Sequence, residues 1–412
     1  MRAMRFGVAM AAASAVVAIG VSGAAASGTF VEPVDVIATL HGTGTPGANF
    51  GWAVSELGDV DNDGVTDVIV GEPFTDTGTT WVFSGRTGAE IHRLDGEPGD
   101  LQGFSMADAG DVDGDGIHDI LSGASGRGAG HVYLYSGATG TLLHTFAGED
   151  AGDEFGWAVA GVGDVDGDDR DDIAVGAPAR LRSGVAGAAY VFSGRTYELI
   201  RKVPGIPRHG GQFGSAVDGA GDLDGDGVPD LVVGARDAPP HERGVVWAFS
   251  GADGQPLWRH RAAKTGAQYG SFFVAGIGDA NGDGEPDVYA ADYADGGGAG
   301  RATVLSGLDG TELAVIEGAP GAGLGPGREA GDLDGDGLVD LAVGSFTYGP
   351  DQAGRIELRS GRDGSVLRTI TSTTPGENLG FDTVGIGDAN GDGRPDLVAS
   401  AATGETVYIL AG

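Results

Sequence analysis

Cysteine is absent from the 412 residues. No disulfide framework and no thiolate metal site can form. Lysine is nearly absent, with Lys202 and Lys264 the only two, so arginine supplies the other 22 of the 24 bases. Sixty acids stand against those bases and give a formal net charge of −36. A field of that sign repels phosphate, so no nucleic-acid partner is expected. Helical periodicity is missing beyond the N-terminal segment. Long apolar runs are missing there too, so no later segment reads as a membrane span. What the chain has in excess is glycine, 81 residues without a Gly-X-Y period, which excludes collagen. A hydrophobic content of 41% supports a buried core and argues against general disorder.

The N-terminus has the form of an export signal. Arg2 and Arg5 precede Phe6 to Val21, 16 residues without charge, and Ala24-Ala25-Ala26 offers a small-residue cleavage site. Sixteen residues fall short of the ~20 needed to span a bilayer. The expectation is a signal peptide over 1–26 and a secreted or cell-surface domain over 27–412, with no membrane span after cleavage.

An acidic nonapeptide recurs seven times along that domain, with starts 52, 53, 58, 57, 53 and 56 residues apart. Each copy follows an apolar stretch opened by an aromatic-glycine pair, as in Phe50-Gly51, Phe155-Gly156, Phe213-Gly214 and Tyr269-Gly270. The pair is degraded to Leu324-Gly325 and Leu379-Gly380 in the last two copies. A β-branched run follows each loop, such as Ile173-Ala174-Val175-Gly176-Ala177-Pro178. A third run ends in Ser-Gly, as in Trp81 to Gly85 and Tyr190 to Gly194, and a fourth follows a glycine turn, as in Ala89 to Leu94. Short runs bounded by Gly and Asp predict strands joined by tight turns. Four strands in each of seven repeats predict an all-β, seven-bladed β-propeller. Val34 to Leu40 matches the fourth strands and precedes the first aromatic-glycine pair, whereas the last repeat stops at a third strand, Val407 to Gly412. The N-terminal strand is therefore expected to complete the last blade and close the ring.

The acidic loops have the chemistry of metal sites. Oxygen donors occupy positions 1, 3, 5 and 9, and a backbone carbonyl is available at position 7. The sets are Asp59, Asp61, Asp63, Val65 and Asp67; Asp111, Asp113, Asp115, Ile117 and Asp119; Asp164, Asp166, Asp168, Arg170 and Asp172; and Asp222, Asp224, Asp226, Val228 and Asp230. The remaining three are Asp279, Asn281, Asp283, Glu285 and Asp287; Asp332, Asp334, Asp336, Leu338 and Asp340; and Asp388, Asn390, Asp392, Arg394 and Asp396. Carboxylates crowded this closely repel one another unless a hard cation lies between them, and an all-oxygen set favours Ca2+. Up to seven Ca2+ are expected, bound more weakly where Asn281 and Asn390 remove a charge. A helical calcium hand would need an acid at position 12, which here is Val70, Ser122, Val175, Val233, Ala290, Val343 or Ala399. The loops are thus expected in β-hairpins. Asp169 stands where the other loops have glycine, so it must strain the turn or adopt a left-handed conformation.

Phe-Gly, the DxDGDGxxD loop and Gly-Ala-Pro together resemble the FG-GAP repeat, the blade unit of the integrin alpha-chain head. The resemblance covers about residues 34 to 412. It implies a seven-bladed propeller with calcium in the hairpins between first and second strands, and a partner face on the opposite side. Bases gather in loops expected there: Arg180, Arg182, Arg208, His209, Arg236, His241, Arg243 and Lys264. These are candidate ligands for an acidic glycan or a partner's carboxylate. No zincin or nucleophile-elbow motif is present, and Gly42 to Gly47 matches a dinucleotide pattern that no helix follows. No catalytic residues are assigned. The expected function is binding or adhesion to an extracellular protein or glycan. The alternatives are a sugar-binding lectin, a polysaccharide lyase and a structural surface-layer component.

Overall fold

The computed structural model describes residues 29–179, 186–205, 211–236, 243–263 and 268–412. It consists of seven four-stranded antiparallel sheets. Blade 1 contains Val54–Leu57, Asp67–Glu72, Thr79–Phe83 and Glu90–Asp95, and blades 2 to 6 repeat this order. Second strands such as Asp67–Glu72 and Asp172–Ala177 are buried along their whole length, as their unbroken apolar runs require. Fourth strands such as Glu90–Asp95 and Leu142–Ala147 are exposed or half-buried at all but one position and form the outer wall. The third strands begin and end two residues earlier than the sequence suggested, at Thr79–Phe83 and Ala188–Phe192. The reason is local: Ser84 accepts from Gly88 and donates to Ala89, so Ser-Gly belongs to the turn.

Blade 7 pairs Thr383–Gly385, Leu397–Ala401 and Thr406–Leu410 with Val36–Leu40 from the other end of the chain. Thr39 lies opposite Tyr408 and Leu40 opposite Val407. The apolar core confirms the closure, because each of its seven clusters lies between two neighbouring blades. One joins Phe50 and Trp81 of blade 1 to Val398, Val407 and Ile409 of blade 7. No interface is left open, so the ring needs no capping repeat.

The two glycine motifs lock one blade to the next. A Cβ on Gly71 would lie 2.1 Å from the Gly103 carbonyl oxygen, and one on Gly176 would lie 2.2 Å from that of Gly214. The second-strand glycine of one blade thus receives the aromatic-glycine segment of the following blade against its backbone. At the closing interface Ser400 replaces that glycine and donates its hydroxyl to the Gly51 carbonyl. Chain direction then sorts the faces. Every first strand runs toward its acidic loop, so its N-terminal end and the second-to-third loops emerge on the opposite face.

Candidate functional site

Each acidic loop is shaped by its own first aspartate. Asp59 Oδ1 accepts from the Asp63 amide at 3.0 Å and Oδ2 from the Gly64 amide at 2.7 Å, while Asp63 Oδ1 accepts from the Val65 amide at 3.0 Å. The position-6 glycines have φ between 86° and 94°, a region closed to most side chains. Asp169 adopts φ 65° at the same place, so the exceptional loop keeps the left-handed turn.

The buried ninth residue ties the loop to the blade. Asp67 Oδ2 accepts from the Val60 amide at 2.8 Å and Oδ1 from the Gly85 amide at 3.0 Å. The same bond to the Ser-Gly glycine recurs from Gly137 to Asp119, Gly194 to Asp172 and Gly251 to Asp230, at 2.9–3.0 Å. Burial pushes the Asp67, Asp172, Asp230 and Asp287 carboxyls up to about 6 and Asp119 to about 7, against the opposing effect of these amides.

Five loops bring three carboxylates together, with an oxygen from each within 4.8 Å of the others. The groups are Asp59, Asp61 and Asp67; Asp111, Asp113 and Asp115; Asp164, Asp166 and Asp172; Asp222, Asp224 and Asp230; and Asp332, Asp334 and Asp336. These all-oxygen groups could hold a hard cation. The fifth and seventh loops differ. Asn281 Nδ2 donates to Asp283 at 3.0 Å and to both oxygens of Asp287 at 3.1 Å, and Asn390 Nδ2 donates to Asp396 at 3.2 Å. An amide there relieves part of the repulsion between acids.

Arginines also reach the loops. Arg86 meets Asp63 at 3.1 Å, Arg362 meets Asp336 at 3.4 Å, and Arg170 crosses from the third loop to Asp111 of the second at 3.3 Å.

The opposite face holds a feature the sequence reading missed. Trp52, Phe104, Trp157, Phe272, Phe346 and Phe381 line one end of an axial cavity of about 520 Å3. Trp157 stacks on Phe272 at 5.6 Å, and Phe104 lies 4.8 Å from Trp157 and 5.5 Å from Trp52. Four of these residues occupy the position just after the motif glycine, in Gly51-Trp52, Gly103-Phe104, Gly156-Trp157 and Gly380-Phe381. That recurrence was the available signal, hidden because the rings meet only across the axis.

Below the rim the first strands carry Glu56, Asp108, Asp218, Arg328 and Glu329, with Asp382 beside them. Arg328 pairs with Asp382 at 3.2 Å. Burial raises the Glu56 and Asp218 carboxyls to about 7 and also raises Glu329.

Of the basic residues expected on this face, Arg180, Arg182, Arg208, His209, His241 and Lys264 lie outside the described residues. Arg236 is drawn to the aromatic rim, its guanidinium 5.4 Å from the Trp157 ring centre and hydrogen-bonded to Gln212. Arg243 Nε is buried, with no hydrogen-bond partner among the described residues. The two described bases are therefore packed groups, and Arg236 belongs to the rim. Trp81 and Tyr190 of the third strands are buried blade packing. No helix among the described residues is long and apolar enough to cross a membrane.

Comparison with known proteins agrees with the geometry. The FG-GAP repeat matches residues 50–83 and 155–192, and the FG-GAP-like repeat matches 222–290 and 332–399. Chicken integrin alpha-V is 32% identical over 202 residues, covering 45% of this chain and 19% of the relative. Human integrin alpha-IIb is 36% identical over 224 residues, covering 46% and 20%, and integrin alpha pat-2 of Caenorhabditis briggsae is 31% identical over 241, covering 50% and 19%. The chain thus spans about a fifth of the length of these relatives. Repeated blades, hairpin loops and matched segments agree, and the chain belongs to the FG-GAP repeat family as an integrin-alpha-like seven-bladed propeller.

Proposed function

We propose that the chain is a secreted, calcium-stabilised binding and adhesion module whose partner, an extracellular protein or glycan, docks on the face opposite the acidic loops. The observation that carries this is the aromatic rim. Six rings from different blades and loops converge at one mouth, and Phe74 beside them is 39% exposed. Aromatic groups held on a rigid scaffold supply contact area at little cost in conformational entropy, for protein and sugar partners alike. The similarity to integrin alpha chains supports adhesion over catalysis. Calcium is assigned to structure in this reading: up to seven ions brace the hairpins of the far face, weaker at Asn281 and Asn390, and leave the rim free.

The test is affinity capture on the producing cell's own surface extract, with calcium present, using the wild type and a Trp52→Ala/Trp157→Ala variant. The proposal expects capture by the wild type, lost in a variant whose melting temperature and calcium content are unchanged. Equal capture by both would move the partner site elsewhere.

A further inference from the structure

The cavity beneath the aromatic rim is lined by more carboxyl groups than basic side chains. Five carboxylates line it, from Glu56, Asp108, Asp218, Glu329 and Asp382, and Arg328 is the one base among the lining residues. Arg328 is committed to Asp382 at 3.2 Å, and Asp108 holds His118 at 2.7 Å. That leaves Glu56, Asp218 and Glu329, on blades 1, 4 and 6, without a side chain of opposite charge bonded to them among the described residues. Asp218 accepts only backbone amides, from Gly219 and Gly276 at 3.1 Å. Glu56 is influenced by burial and by neighbouring charges and has no hydrogen-bond partner among the described residues.

The spacing of these acids selects the ligand. Metal-grade groups, with three oxygens within 4.8 Å of one another, occur in the hairpin loops and do not include these residues. The acids come from the first strands of blades 1, 4 and 6 and face one cavity from different sides, which suits several separated cationic centres better than one metal ion. The mouth above is aromatic, and the chain already lays the Arg236 guanidinium against Trp157 there. A volume of about 520 Å3 falls within the ~300–1,000 Å3 of small-molecule sites.

We propose that this tunnel binds a small linear organic polycation, a polyamine whose methylenes lie along the aromatic rings and whose ammonium groups answer Glu56, Asp218 and Glu329. The carboxyls raised toward neutrality by burial agree with a site that lacks its counter-charge. The inference does not depend on the adhesion reading, since it concerns the cavity and not a macromolecule at its rim.

The probe is spermidine, titrated into the calcium-saturated full chain at about 0.15 M salt, where diffuse surface attraction is screened. Calorimetry should show one saturable site, and the tryptophan fluorescence of Trp52 and Trp157 should change with the same midpoint. A Glu56→Gln/Glu329→Gln variant, which keeps shape and loses charge, should bind at least about tenfold more weakly. Asp218→Asn should weaken binding as well, and the outer-strand control Glu90→Gln should not. Melting temperatures show whether each variant is folded. Multiple weak sites without a fluorescence change, or equal affinity in the tunnel variants, would overturn the proposal. Equal surface capture by the wild type and the Trp52→Ala/Trp157→Ala variant, with spermidine binding to the wild type intact, would overturn only the adhesion reading.

Discussion

Asp59, Asp61 and Asp67 meet because nine residues of one hairpin hold them, whereas Glu56, Asp218 and Glu329 share a tunnel because three blades face one axis. The loop acids are fastened by amides of their own blade, two of the loop to Asp59, and to Asp67 one from the loop and one from the Gly85 turn. The tunnel acids are held unevenly: Asp218 accepts two amides, one of them from the neighbouring blade, Glu56 has none among the described residues, and one arginine is shared. The first arrangement is local and repeats with the sequence. The second is assembled at long range, appears once, and differs from blade to blade. Repetition therefore marks what holds the ring together, and departure from repetition marks where it can be specific.

The largest expected effect tests the loop half of this contrast. Chelation should lower the melting temperature by on the order of 10 °C, because at tenfold excess over Kd each ion adds about 1.4 kcal/mol. Differential scanning calorimetry with and without EDTA measures it, and an unchanged transition would make the loops metal-free turns. Next in size is the lock between blades. Gly176→Val sets a side chain against the Gly214 carbonyl oxygen, 2.2 Å from the new Cβ, and should cost about 2–4 kcal/mol in urea unfolding. A neutral result would mean that the blades are not fastened through their glycines.

The tunnel half predicts a pH signature. Glu56 has a folded-state pKa near 7 against an ordinary 4.5, so the folded protein holds that proton more tightly than the unfolded chain. Stability from this group is present below about pH 4.5 and is lost as the pH rises to 7. Glu56→Gln should therefore raise stability by on the order of 1–3 kcal/mol at pH 8 and change little at pH 4. Melting curves at both values decide it; equal shifts would remove the buried charge from the account. The smallest effect compares loops with one another. Asn281→Asp restores the carboxylate at position 3 and should tighten Ca2+ at the fifth loop severalfold by isothermal calorimetry. No tightening would show that charge at position 3 does not set affinity.

Much of this was legible in the residues. The Asp loops, the Phe-Gly pairs and the Ser-Gly turns recur at one spacing, and every one is a contact within a blade or between adjacent blades. Closure by Val36–Leu40 was legible because that strand was missing from the last repeat. The bond from Ser-Gly to the ninth aspartate escaped notice, although it joins two recurrent motifs, because nothing in their spacing orients the Gly85 amide toward Asp67. The aromatic rim escaped for a different reason. Trp52 and Phe381 follow a motif glycine in sequence but touch only when blades 1 and 7 close, 5.3 Å apart. Arg236 read as part of a basic surface, and packing against Trp157 makes it part of the rim.

By itself, the sequence determined the number of blades and the order of strands within each, since both depend on contacts within about 50 residues of chain. Only the tertiary structure decided what lies on the axis. Closing seven sheets into a ring brings Glu56 of the first blade and Glu329 of the sixth to one cavity. No local spacing encodes a distance that exists only once the circle is complete.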